Sequence, residues 1–237
     1  MTILCIETST SVCSVAICKG GVPLKQCINY EGSNHARLLP LYIEELLSFA
    51  REQHLSIDAV ALSEGPGSYT GLRIGASTAK GLCYGLNVPL IPVPTLEVLC
   101  QAAKEKIDTA HTYTLIPMLD ARRMEVYTCI NGETKAVVVE NEESLLSLSE
   151  TVSPLSAKRS IYYFGDGAAK CEKVFTQPEW HLIPDIVPEA QYVGVLAEQI
   201  TNRKSQIANA KSTDLAYYEP FYLKEFVAAP SHVKGLS

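Results

Sequence analysis

Apolar positions along the chain fall into short continuous runs and helix-period stripes. Ile3-Leu4-Cys5-Ile6 is an apolar, β-rich run that ends at Glu7. A polar turn, Thr8-Ser9-Thr10-Ser11, separates it from Val12 to Cys18, where partial alternation predicts a second strand. Lys19-Gly20-Gly21 predicts a tight hairpin turn, and Val22 to Tyr30 a third strand. Leu38, Leu39, Tyr42, Leu46, Leu47 and Ala50 then recur at three- and four-residue spacing, the stripe of an amphipathic helix. Ser33 or Asn34 is its expected cap, and Pro40 fits only in its first turn. Ala59 to Leu62 predicts a buried strand running into the glycine-rich turn Glu64 to Gly71. A helix over about 70–86 and a strand over 89–93 follow.

The second half begins again. Leu115 to Leu119 predicts a strand ending at Asp120, and Glu125 to Ile130 a second. Asn131-Gly132 reads as a hairpin turn and Lys135 to Val139 as a third strand. Glu7 to Gly20 spans 13 residues, and Asp120 to Gly132 spans 12. Both halves therefore show strand, acid, turn, strand, hairpin, strand. Ile161 to Phe164 runs into Gly165-Asp166-Gly167 and a helix, and a last helix spans about 189–202. The repetition suggests an α/β protein of actin-like ATPase architecture, with paired acids facing each other across a nucleotide cleft. Two unrelated α/β segments whose strands end in acids by chance are the competing reading.

Composition narrows the class. With 47% apolar and 19% charged residues in 237, the chain is not disordered and is long enough to fold without disulfides or metal. A net charge of −6 argues against autonomous binding to a phosphate backbone. The eight cysteines form no CxxC pair, which points to reduced thiols in a cytoplasmic protein. The N-terminus lacks a basic n-region, and no run of about 18 apolar residues predicts a membrane span.

Catalytic signatures are sparse. Gly is never followed by Lys, so there is no Walker A loop. Ser68 does not form a G-x-S-x-G elbow, and no two histidines stand four apart. Gly65-Pro66-Gly67-Ser68 before a helix offers either an anion cradle or a tight βα corner. Arg122-Arg123 offers either a phosphate partner or a solvated corner. Glu7, Ser9 and Asp120 are the candidate nucleotide-contacting residues. In the helix over 70–86, Gly71, Gly75 and Ala79 recur every four residues, with Leu82 extending the row. Such a row either lets a second helix approach closely or packs inside its own domain.

Three segments carry a family resemblance: Ile6-Glu7-Thr8-Ser9-Thr10 with Cys13-Ser14-Val15-Ala16, the run Gly65 to Gly75, and Glu219-Pro220-Phe221-Tyr222-Leu223-Lys224. In order and spacing they resemble the TsaB (YeaZ) family, the bacterial tRNA threonylcarbamoyladenosine biosynthesis proteins. Asn34 to Pro40 and Leu119 to Arg122 also fit, while 140–215 matches only loosely. The resemblance implies two duplicated actin-like (ribonuclease H-like) domains with mixed sheets flanked by helices. They would span 1–105 and 106–237, the last segment packing back on the first domain. It implies a cytoplasmic, non-catalytic subunit that scaffolds the catalytic paralogue TsaD, with the ATPase TsaE joining. The subunit would be a homodimer when alone and would meet tRNA only within the complex. No cofactor and no metal are expected: Thr95 and Leu99 stand where the paralogue carries a metal-binding histidine pair. The partner interface would comprise His35, Leu39, Tyr42, Leu46, Gly71, Gly75, Ala79 and Leu82. Position 7 in this family is more often Asp, which bears on any nucleotide role for Glu7. The alternative reading is a stand-alone ATP-dependent, kinase-like enzyme of the same fold. A metallopeptidase, the third class, lacks its ligands.

Overall fold

The computed structural model describes residues 1–32, 34–107, 113–122, 125–129, 160–173, 175–206 and 213–224. The chain opens with a hairpin meander, β1 (Thr2–Glu7), β2 (Cys13–Lys19) and β3 (Val22–Asn29). Positive φ at Gly20 and Gly21 forms the β2–β3 turn, a conformation glycine adopts without Cβ strain. β4 (Ala59–Gly65) joins β1 in parallel and β5 (Leu90–Pro94) joins β4, giving the order β3-β2-β1-β4-β5.

Alternation along β1 and β2 decides which layer covers which face. Leu4, Ile6, Val15 and Ile17 point to one side, against Leu39 and Leu46 of α1 (His35–Glu52) and Ala76 and Ala79 of α2 (Tyr69–Leu86). Ile3, Cys5, Ala16 and Cys18 point to the other, against Val98 and Leu99 of α3 (Thr95–Lys104) and Val193 and Leu196 of α4 (Ala190–Gln206). Covered on both faces, all six residues of β1 are buried. The start of α4 is tied to β2, because Ala190 N–H donates to the buried Ser14 Oγ at 2.9 Å.

A second sheet repeats the plan. β6 (Tyr113–Asp120) pairs antiparallel with β7 (Val126–Thr128) and parallel with β8 (Ser160–Phe164), and β8 pairs parallel with β9 (Trp180–Ile183). Its order, β7-β6-β8-β9, matches β2-β1-β4-β5 strand for strand. Leu119, Tyr127 and Phe164 join the core that holds α3 and α4, so those helices lie between the sheets. The protein is mixed α/β, two sheets flanked by helices. Among the described residues no helix is long and apolar enough to cross a membrane.

Several elements depart from the sequence reading. α3 was not expected: it begins at Thr95, directly after β5, with Pro94 in the N-cap position and no polar break between them. β9 was not expected, because the four residues Trp-His-Leu-Ile are too short a run to set a period. Gly165-Asp166-Gly167 leads into only a 3₁₀ turn, Ala168–Cys171. α1 starts at His35, so Pro40 sits one turn deeper than expected, with its ring exposed to solvent, and Asn34 makes no side-chain cap bond. Ser33, Arg123, the Asn131-Gly132 turn and the strand over 135–139 lie outside the described residues.

The small-residue row on α2 faces inward, correcting the expectation that it meets a partner. A Cβ at Gly71 would overlap the Thr8 carbonyl oxygen, and one at Gly75 would overlap Thr8 Oγ1 and press on Leu62. Ala79 is fully buried in the core with Leu62. His35, Leu39 and Leu46 are buried too, because the apolar stripe of α1 is the face that lies on its own sheet. Of the eight interface candidates, only Tyr42 and Leu82 keep partial exposure. Around α2 from it a second row, Ser77, Gly81 and Gly85, is exposed, and a Cβ at either glycine would meet open space.

These environments give opposite predictions for one chemical change. Gly71→Ala should destabilise the chain by about 3 kcal/mol, since the opposing atom is backbone that cannot swing away. For a chain of this size that lowers Tm by about 6–12 °C. Gly81→Ala should stabilise it by about 1 kcal/mol through helix propensity. Thermal melts of the two variants check both signs.

Candidate functional site

Where β1 ends, the chain turns back on itself around a buried carboxylate. Glu7 is fully buried, and its Oε1 accepts hydrogen bonds from Ser9 N–H at 2.6 Å and Ser9 Oγ at 2.5 Å. Its Oε2 has no hydrogen-bond partner, although the Ser63 hydroxyl lies near enough to help hold the charge. Burial dominates and raises the Glu7 carboxyl above the ordinary carboxylate range, with Ser63 and Ser9 opposing it. Ser63 in turn shares a hydrogen bond of 2.9 Å with the Thr95 hydroxyl, which also accepts from Gly65 N–H at 3.1 Å.

The same turn is fastened to α2. Ser68 N–H donates to the Ser9 carbonyl at 2.6 Å, and Thr8 Oγ1 donates to the Gly71 carbonyl at 2.9 Å. Ser68 caps the helix, its Oγ accepting from Gly71 N–H at 3.4 Å. Gly67 fits here because a Cβ would overlap the Ser9 carbonyl oxygen. The glycine-rich segment is therefore a tight corner built around the turn.

Across from it, β6 ends at Asp120. Its Oδ1 receives Lys170 Nζ at 2.5 Å and Arg122 N–H at 2.6 Å, the latter held by a left-handed φ of 67° at Arg122. Asp120 N–H donates to Asp166 Oδ1 at 2.8 Å. Burial raises the Asp166 carboxyl above its usual range, opposed by the Asp120 N–H bond and reinforced by the Asp120 charge. Glu125 is paired with Lys224.

Between these two ends lies a cavity of about 870 Å³. Ser9, Thr10 and Ser11 line it on one side with the start of α2, Asp120, Arg122 and Asp166 on the other, and His35 at its edge. Phe221, Tyr222, Leu223 and Lys224 close it. Of the nucleotide candidates, Ser9 and Asp120 reach the cavity and Glu7 stays beneath it. Ser9 spends both its N–H and its hydroxyl proton on Glu7, and Asp120 is answered by Lys170. Lys170 has no sequence signal, whereas Gly165-Asp166-Gly167 reads as either an anion-binding turn or a plain tight turn, and its Asp166 just past β8 repeats the acid-after-strand pattern. The closing segment lay in a recognised motif, but its place at the cavity had no sequence signal.

Residues 29–230 match the family described as "TsaD: tRNA N6-adenosine threonylcarbamoyltransferase". A relative from Escherichia coli, named tRNA threonylcarbamoyladenosine biosynthesis protein TsaB, is 30% identical over 236 residues, 96% of each chain. The chain belongs to the TsaB family. A Haemophilus influenzae protein of the same name is 38% identical over 129 residues, 54% of this chain and 52% of that one. The solved structure of YeaZ from Pseudomonas aeruginosa superposes with a TM-score of 0.71 at 26% identity, covering 94% of this chain and 100% of the other.

In this TsaB-family chain, the positions compared with a metal-binding histidine pair are structural. Thr95 is bonded inside the core to Ser63 and Gly65, and Leu99 is fully buried among apolar neighbours. Glu7, where the resemblance leads one to expect Asp, has the length to fold back onto Ser9 two residues on.

The Glu7 arrangement predicts a pH dependence. A raised carboxyl pKa means that the folded state holds the proton longer than the unfolded chain. The contribution to stability is therefore greatest at low pH and falls as pH rises from the unfolded value through the folded one. Glu7→Gln keeps the acceptor for Ser9 without the charge. Its Tm relative to the native chain should rise between pH 4 and pH 8. A difference that falls over this range would show that the ionised form is the stabilised one.

Proposed function

We propose that this chain takes part in the threonylcarbamoylation of the adenosine next to the anticodon of tRNA, as a non-catalytic subunit that scaffolds a TsaD-type transferase. One observation carries the reading. The groups a catalytic cleft would aim at a ligand are answered within the chain: Glu7 by Ser9, Asp120 by Lys170, Glu125 by Lys224. Asp120 and Glu125 carry cationic partners and Glu7 is turned beneath the cavity onto Ser9, so these three carboxylates are not held out toward a divalent ion as phosphoryl transfer requires. This favours a subunit over a stand-alone ATP-dependent kinase-like enzyme. The family membership supplies the pathway. On this reading the two sheets form a duplicated pair of domains, a TsaE-type ATPase joins the assembly in the cytoplasm, and tRNA is engaged only within it. With an acidic balance of 20 basic to 26 acidic residues, the chain adds little of its own to a phosphate contact.

The docking surface follows from the corrected helix faces. Leu41, 54% exposed, on α1 and the row Ser77, Gly81, Gly85 on α2 are exposed on the two helices that cover this face of the sheet, with Tyr42 and Leu82 half-buried. An exposed row of small residues suits close helix–helix packing, and an exposed leucine on the companion helix suits an apolar partner. We assign this face to the TsaD-type partner, and to a second copy when the chain is alone.

Two variants separate the faces. Leu41→Glu should weaken binding to the TsaD-type partner at least about tenfold, the loss expected of a central interface anchor, while leaving Tm nearly unchanged. Gly75→Leu should unfold the monomer, because that position faces Thr8 and Leu62. Partner affinity and thermal melts of both variants check the assignment. Undiminished binding by Leu41→Glu would place the interface elsewhere.

A further inference from the structure

Residues 213–224 cross from the flank of α2 to the second sheet, held by two kinds of contact. The first half is an anchor. Tyr218 is buried in the core beneath α2, Leu215 packs on the same core, and Lys80 Nζ binds the carbonyls of Ala216 and Tyr218 at 3.2 Å each. Ala216 N–H is held by Asp214 at 3.0 Å. The second half closes the cavity with shallower contacts. Phe221 N–H donates to the Glu64 carbonyl at 2.8 Å, and the Tyr222 ring rests on Tyr69, centroids 5.0 Å apart. Lys224 pairs with Glu125 on the far side, at the foot of β7. Phe221 and Tyr222 are 41% and 37% exposed, against 8% for Tyr218.

We propose that this segment is a hinged strap over the cleft. Its 215–218 portion is a fixed anchor, Glu219-Pro220 is the hinge, and 221–224 is a latch closed by the Lys224–Glu125 ion pair. The division follows from the contacts: a buried aromatic and paired carbonyls hold 215–218, whereas 221–224 is held by a main-chain bond at Phe221, a ring contact at the exposed Tyr222, the half-buried Leu223 against the core between the sheets, and the partly exposed ion pair of Lys224. Release of the latch removes four cavity-lining side chains at once. The cleft's accessibility is then set by an ion pair between residues 99 apart in sequence, rather than by movement of the sheets.

Residue-resolved amide hydrogen exchange on the full chain tests the strap. Lys224→Glu should speed exchange at Phe221 at least about tenfold, with Ala216 in the anchor unchanged. Combining Lys224→Glu with Glu125→Lys restores the pair with reversed polarity, and protection at Phe221 should return. Unchanged exchange at Phe221 in the single variant would overturn the latch. Equal acceleration at Ala216 and Phe221 would overturn the hinge. Failure of the reversed pair to restore protection would show that the ion pair does not hold the strap.

Discussion

The structure depends on the close approach of one turn to one helix. Thr8 and Ser9 lie with their backbone against the first turns of α2, nearer than any Cβ allows, and Gly67, Gly71 and Gly75 leave the space. Two hydrogen bonds fix the contact, Ser68 N–H to Ser9 and Thr8 Oγ1 to Gly71. Glycine inside a helix costs about 1 kcal/mol against alanine, so the row is retained for geometry. Once the turn is docked, Glu7 is sealed beneath it and the start of α2 is aimed along the cavity wall.

That constraint separates the cleft's shape from its chemistry. Each half supplies an acid at the end of its first strand, Glu7 on β1 and Asp120 on β6, as repeated sheets dictate. The acids are used differently. Glu7 is turned inward onto Ser9, while Asp120 stays at the cavity with the Lys170 ammonium and the Arg122 main-chain N–H on its carboxylate. The two acids are thus answered within the chain in different ways, one by a turn folded beneath the cavity and one by a cation at its wall.

Much of this was legible in the chain, and the failures share a cause. The β1–β2–β3 meander, α1, β4 and α2 emerged from periodicity, and the acid-bearing repeat pointed to two similar sheets before any pairing was known. The small-residue spacing on α2 was also visible, but its direction was not. Gly71-x-x-x-Gly75 and Ser77-x-x-x-Gly81-x-x-x-Gly85 have the same local pattern, and only the position of the sheet decides which row is inside. α3 escaped because Pro94-Thr95 joins strand to helix without a polar break, and the apolar run reads equally as strand. Contacts of long sequence separation, Lys170 with Asp120 and Lys80 with the 216–218 carbonyls, leave no local trace.

The most direct test of the central claim is reconstitution from purified components, with ATP turnover by the chain alone measured beside tRNA modification by the mixture. The account predicts that the chain alone turns over no ATP above the blank, and that modified tRNA forms only when it is added to a TsaD-type transferase with its ATPase partner. ATP hydrolysis or phosphoryl transfer by the chain alone, abolished by Glu7→Gln, would contradict it.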